Sequence, residues 1–157
     1  MTENKIMSRA DAADWRRSQP GAVVFTNGVF DLLHPGHVQL LERARQEGWA
    51  LIVGINSDAS VRRLNKGIDR PLVPQEARAR VVAALEAVSC VVLFDEATPL
   101  ALIGEIRPDV LVKGADYARA DIVGADLVEQ GGGRVVRVEL VDGFSTTKLV
   151  ERLRASI

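Results

Sequence analysis

Five short apolar runs, each followed by a stretch of helical periodicity, constrain this chain more than any other feature. "AVVFT" (Ala22–Thr26), "ALIVGIN" (Ala50–Asn56), "CVVLF" (Cys90–Phe94), "DVLVK" (Asp109–Lys113) and "RVVRVEL" (Arg134–Leu140) have strand character. The first four are almost continuously apolar, as strands of a parallel sheet covered on both faces must be. The fifth alternates, which suits an edge strand. Between them "HVQLLERARQEG" places Val38, Leu41 and Ala44 on one face, and "QEARARVVAALEAV" repeats Ala77, Val81, Leu85 and Val88. "TPLALIGEIR" begins with a Thr98 cap and Pro99 in the first turn, "GADLVEQGGG" is short, and "TTKLVERLRAS" closes the chain. An introductory helix, "SRADAADWRRSQ", comes first. The alternation predicts an α/β domain with a doubly wound, five-stranded parallel sheet. Such sheets bind ligands beyond the carboxyl ends of their strands, where the strand order switches.

The 157 residues suit a single domain, with residues 1–20 as its N-terminal helix extension. A net charge of −1 argues against a general nucleic-acid or membrane-surface binder, although it permits a local basic pocket. The single cysteine, Cys90, lies in an apolar run and is expected to be a buried thiol. The start is polar, and no run reaches the length of a membrane span, so a soluble cytoplasmic protein is expected. Trp15 on the first helix suits either a homodimer contact or a cover for the chain's own sheet.

Both histidines of the chain fall in "TNGVFDLLHPGH", Thr26 to His37. Asn27-Gly28 ends the first strand, and Pro35-Gly36 starts a helix between His34 and His37. Three residues apart, the two imidazoles share one side of the first turn. A helix N-terminus offers free N–H groups and a partial positive charge, so phosphate binds there readily. The plainer alternative is a capping pair with one core histidine. Asp31 suits hydrogen bonds to loop amides as well as it suits a ligand.

Three further segments lie where the same ligand could reach them. "DGFSTTKLVERL" sets Ser145, Thr146 and Thr147 before an apolar helix, with Lys148 behind; one hydroxyl would serve as a cap, and three suggest an anion site. "LVKGADY" ends the fourth strand with Lys113, Gly114, Asp116 and Tyr117. The long irregular segment "NKGIDRPLVPQ" carries Lys66 and Arg70, with Arg78 following on the next helix, and a basic lid over phosphates would explain the cluster. "GINSDASV" reads as a strand end in which Asn56, Ser57 and Asp58 cap a helix. No G-K-[ST] loop or G-x-G-x-x-G fingerprint competes with these motifs.

The spacing G-x-F-D-x-x-H-x-G-H resembles the signature of nucleotidyltransferases related to cytidylyltransferases, whose fold is a Rossmann-like α/β sheet. Together with "VGINSDASVRRLNKG", "RPLVPQEARARVVAAL", "RPDVLVKGADY" and "DGFSTTKLVERL", in that order, it is similar to the adenylyltransferases of the ADP-heptose synthase type. The resemblance runs from about Ala22 almost to the C-terminus. It implies transfer of AMP from ATP to D-glycero-β-D-manno-heptose 1-phosphate, giving ADP-heptose and pyrophosphate for the lipopolysaccharide inner core. Such transferases are often fused to a sugar kinase, and the length here suggests a stand-alone form. The resemblance implies catalytic roles for His34, His37 and Lys113. It implies nucleotide contacts from Thr26, Asn27, Gly28, Val29, Phe30, His34, His37, Ser145, Thr146 and Thr147. It implies substrate contacts from Asp31, Lys66, Arg70, Arg78, Lys113, Gly114, Asp116 and Tyr117. Mg²⁺ is expected to arrive with ATP, without a protein metal cage. A cytidylyltransferase acting on glycerol 3-phosphate is the nearest alternative, and "LVDG" lacks the arginine which that relative usually carries before its serine/threonine motif. A non-catalytic nucleotide-binding module and a dinucleotide oxidoreductase are the others.

Overall fold

The computed structural model describes residues 1–64, 67, 69–140 and 142–157. Lys66 lies outside the described residues. The strands are β1 (Val23–Gly28), β2 (Ala50–Asn56), β3 (Cys90–Phe94), β4 (Val110–Gly114) and β5 (Arg134–Val138). The helices are α1 (Arg9–Arg17), α2 (Pro35–Gln46), α3 (Asp58–Arg63), α4 (Gln75–Ala83), α5 (Leu100–Ile106), α6 (Ala125–Gln130) and α7 (Thr146–Ala155). Short 3-10 turns cover Thr2–Lys5 and Arg119–Asp121.

All five strands are parallel, in the order β3-β2-β1-β4-β5. The expected Rossmann-like, doubly wound sheet is therefore present, and β5 is an edge strand. The order reverses beside β1, whose neighbours are β2 and β4. The crevice that forms there opens at Gly28 and Gly114.

Alternate residues of each strand feed two cores. Val23, Phe25, Ile52, Val92 and Leu111 pack against Ala12 of α1, Leu102 and Ile103 of α5 and Val128 of α6. Val24, Leu51, Val53, Val91 and Val112 pack against Leu41 and Ala44 of α2 and Val82 and Ala83 of α4. Each fully buried Leu, Ile or Val contributes about 1.5–3 kcal/mol of transfer free energy. Trp15 packs, half-buried, against the first of these cores, so α1 covers its own sheet.

Two local expectations need correction. Helix α4 does not bury Ala77 and Val81, which are exposed; it buries Arg78, Ala79, Val82 and Ala83 and ends by Ala84. Its buried stripe is rotated because Arg78, with a partner at each of its three nitrogens, occupies the core side. At α5 the capping position falls to Pro99, and Thr98 makes no side-chain cap bond, so the helix starts one residue late. Ser57 does cap α3, accepting the Ser60 N–H at 3.1 Å.

Candidate active site

A cleft of about 560 Å³ opens at the carboxyl ends of β1 and β4. Its walls come from the β1–α2 turn (Asn27, Gly28, Val29, Phe30, Asp31, His34, Gly36, His37, Leu40), the end of β4 (Lys113, Gly114, Asp116, Tyr117), the start of α7 (Phe144, Ser145, Thr146, Thr147), Arg70 and Leu140. Segments more than a hundred residues apart in sequence meet here.

The β1–α2 turn is tightly determined. Phe30 is buried with φ of 52°, a conformation that costs a non-glycine residue roughly 1–2 kcal/mol and persists only where its surroundings enforce it. A Cβ on Gly28 would lie 2.9 Å from the Phe30 ring, so the turn closes only over glycine. His34 is the N-cap of α2, and its Nδ1 accepts the Gly36 N–H at 3.1 Å. His37 reaches back, its Nδ1 accepting the His34 N–H at 3.3 Å. The rings stack with centroids 3.8 Å apart. The capping alternative is thus realised, and it does not exclude a ligand. Because Nδ1 of His34 accepts, its neutral ring carries the proton on Nε2, as a donor.

Burial lowers the pKa of His34. His37 is lowered to about 4, first by burial and then by the neighbouring His34, while the Leu32 carbonyl acts in the opposite direction. At neutral pH His37 is therefore uncharged. A neutral imidazole N–H can hydrogen-bond a phosphate oxygen without acting as a general acid.

On the facing side, Ser145 caps α7 by accepting the Lys148 N–H at 3.0 Å. Phe144 precedes it and lies against His34, with centroids 6.3 Å apart, joining the starts of α7 and α2. Lys113 Nζ donates to the Asn27 carbonyl at 3.2 Å and sits 4.9 Å from the centre of the Tyr117 ring. Asn27 lines the cleft, and its side-chain oxygen is buried without a hydrogen-bond partner among the described residues.

Two residues expected to meet ligand are placed elsewhere. Thr26 is fully buried behind the cleft, its hydroxyl donating to the Val112 carbonyl at 2.8 Å and stitching β1 to β4. Arg78 is 1% exposed and does not line the cleft. It donates to the carbonyls of Val73 (2.8 Å), Val29 (2.7 Å) and Asn56 (2.8 Å) and to the Asp58 carboxylate (2.7 Å). It holds three carboxyl-end segments together from beneath. Asp31 takes the loop-amide role, accepting from Leu72 N, Val73 N and Arg70. Gly36 of the paired-histidine motif also lines the cleft, and Leu40, Leu140 and Phe144 do so without having been singled out in the sequence. Only Phe144 left a signal there, as an aromatic residue lodged in a run of glycine and hydroxyl residues.

No helix among the described residues is long and apolar enough to cross a membrane. The cytidylyltransferase-like family matches residues 25–152. The bifunctional protein HldE of Syntrophotalea carbinolica is 54% identical over 146 residues, covering 93% of this chain and 30% of that protein. HldE of Bradyrhizobium diazoefficiens is 57% identical over 145 residues, covering 92% and 29%. The chain thus spans about 30% of the length of these relatives. Among solved structures, a lipopolysaccharide core biosynthesis protein from Thermoplasma volcanium superposes with a TM-score of 0.66 at 27% identity, covering 78% of this chain and 99% of that one. Pantoate-beta-alanine ligase from Francisella tularensis shares the fold, with a TM-score of 0.59 at 15% identity over 95% of this chain and 76% of that one. Two helix starts facing one cleft at the strand switch, with a paired-histidine turn on one side and a serine/threonine start on the other, agree with these matches, and the chain is a nucleotidyltransferase belonging to the cytidylyltransferase-like family.

Proposed function

We propose that the protein transfers AMP from ATP to D-glycero-β-D-manno-heptose 1-phosphate, releasing pyrophosphate and forming ADP-heptose for the lipopolysaccharide inner core. The observation that carries this reading is the convergence of the α2 and α7 N-termini on one cleft, with both imidazoles at the first and three hydroxyl residues at the second. The order and spacing of all five sequence segments support the heptose acceptor, and a cytoplasmic setting supplies the ATP.

A phosphate oxygen of the sugar attacks the α-phosphorus of ATP in line. The bond from the α-phosphorus to the bridging oxygen breaks, and the electron pair leaves with pyrophosphate. The nucleophile is already an anion, so no base is required, and the work of the site is alignment and charge compensation. His34 and His37 would donate to the oxygens of the α-phosphate as charge develops there. Ser145, Thr146, Thr147 and the amides of the first turn of α7 would hold the β- and γ-phosphates. Lys113 and Arg70 would offset the charge of the sugar phosphate or of the departing pyrophosphate. Mg²⁺ would enter with ATP, held by phosphate oxygens and water. The Asp31 carboxylate, already engaged by three donors, fits a structural role better than a metal-ligand role.

The test is pyrophosphate release with Mg²⁺, pairing ATP and CTP each with heptose 1-phosphate and glycerol 3-phosphate. Release restricted to ATP with heptose 1-phosphate is expected. Release only with CTP and glycerol 3-phosphate would replace this reading by that of a cytidylyltransferase.

A further inference from the structure

The carboxylate of Asp31 sits in the cleft wall with its side chain fully buried. It is saturated by the segment that follows α3. Leu72 N–H lies 2.9 Å from Oδ1, Val73 N–H lies 2.9 Å from Oδ1, and Nε of Arg70 lies 2.5 Å from Oδ2. All three donors come from four consecutive positions, so one side chain of the β1–α2 turn fixes the course of a distant loop. The bond to Arg70 uses Nε alone. Among the described residues, its two terminal nitrogens make no hydrogen bond, although Arg70 lines the cleft with a side chain only 12% exposed. A guanidinium gripped at Nε cannot rotate freely, and it presents the remaining nitrogens as a planar pair of donors, the geometry that suits a phosphate. Asp69, just before Arg70 in the chain, pairs with Arg154 near the end of α7 at 2.8 Å on the exposed surface, a contact that adds little to hold the segment.

We propose that Asp31 is a positioning residue: it aims the terminal nitrogens of Arg70 at a phosphate group in the cleft and does not itself touch substrate. This rests on the transferase reading for its effect on turnover, but not for its effect on phosphate binding. Asp31 also cancels the charge of Arg70 before substrate arrives, so the site need not hold an uncompensated buried cation when empty.

The test is a double-mutant cycle with Asp31→Asn and Arg70→Ala, read in kcat/KM, together with calorimetric binding of inorganic phosphate and of pyrophosphate. Loss of the arginine should lower kcat/KM by roughly 10²-fold, and misaiming it through Asp31→Asn should cost about as much. Because one acts through the other, the double variant should fall no more than about threefold below Arg70→Ala. Both single variants should weaken the same anion by about tenfold, with melting cooperativity retained. Arg70→Lys, which keeps the charge and loses the fork, should remain impaired. A double variant whose loss is the product of the two singles, an Asp31→Asn protein with ordinary turnover and anion binding, or full rescue by lysine would each overturn the assignment. If no substrate pair turns over even in the unaltered protein, the reaction assignment fails by itself, and the anion-binding comparison still decides the role of Asp31.

Discussion

The two helix starts that face the cleft are built very differently. At α2 the turn is buried and mutually bonded: His34 is 9% exposed, Phe30 is 5% exposed and Asp31 is 3% exposed, and the rings of His34 and His37 are in contact. At α7 no residue of the helix is buried, and Phe144 before it is 44% exposed. Chemistry at the α-phosphate needs donors that do not reorganise, because stabilising a transition state depends on groups already in place. Gripping the outer phosphates tolerates a more open contact, which must also let nucleotide enter and pyrophosphate leave. If α2 serves the α-phosphate and α7 the outer phosphates, as proposed, the buried start would hold the reacting group and the open one the groups that come and go.

Removing the imidazoles breaks the rigid half most directly. His34→Ala or His37→Ala should lower turnover by roughly 10²–10⁴-fold, measured as steady-state pyrophosphate release. ATP affinity should change far less, since the α7 start is untouched. Ordinary turnover in a folded variant would remove that histidine from the mechanism.

From below, Arg78 bonds the β1–α2 turn, at the Val29 carbonyl, to the segments around Asn56 and Val73. Arg78→Met should destabilise the protein by about 3 kcal/mol, because three carbonyls and the Asp58 carboxylate lose their buried donor. Urea denaturation reads this, and a loss under about 1 kcal/mol would show that the three segments hold one another without it.

At the open half, Ser145→Ala should cost about 1 kcal/mol of local helix stability by removing the cap to Lys148 N–H. Weaker ATP binding, with the rate at saturation nearly kept, is the signature expected of an outer-phosphate contact. A fall in kcat with unchanged affinity would instead give α7 a share in the transition state.

A further effect concerns pH, and it develops only in acid. The folded pKa of His37 is about 4, below its ordinary value of 6.5. The unfolded chain therefore takes up a proton first as pH falls. Stability from keeping this ring neutral is fully present above pH 6.5 and is lost as pH falls from 6.5 towards 4. Burial moves His34 in the same direction. A His37→Asn variant should show a shallower decline in thermal midpoint across that window, and an unchanged slope would mean that other groups set the acid limit.

Most of the fold was legible in the sequence, because a strand buried on both faces leaves a run of apolar residues that little else produces. Strand starts matched to within one residue, and β5 betrayed its edge position through its alternation, whereas β3, the other edge, is as apolar as the inner strands and left no such sign. The face of α4 was not legible. Ala77, Val81, Leu85 and Val88 make a plausible apolar stripe, but the buried stripe includes Arg78, and periodicity gives a buried arginine no credit for satisfied hydrogen bonds. The same blindness put Arg78 in the cleft: Arg70, eight positions earlier, lines it, whereas the direction of Arg78 depends on how α4 docks. Thr26 was misplaced because adjacent strand residues point to opposite faces, and a motif does not record which face is lined. The partners of Asp31 were illegible for another reason. They lie some forty positions away, in a segment without periodicity, and only the fold brings them together.

The most direct test of the central claim is to follow the α-phosphorus. With ATP labelled at that atom, heptose 1-phosphate and Mg²⁺, the account predicts that the label appears in the nucleotide sugar while the released pyrophosphate is unlabelled. Label retained in ATP or free AMP, with no labelled sugar nucleotide formed, would contradict adenylyl transfer to the sugar phosphate.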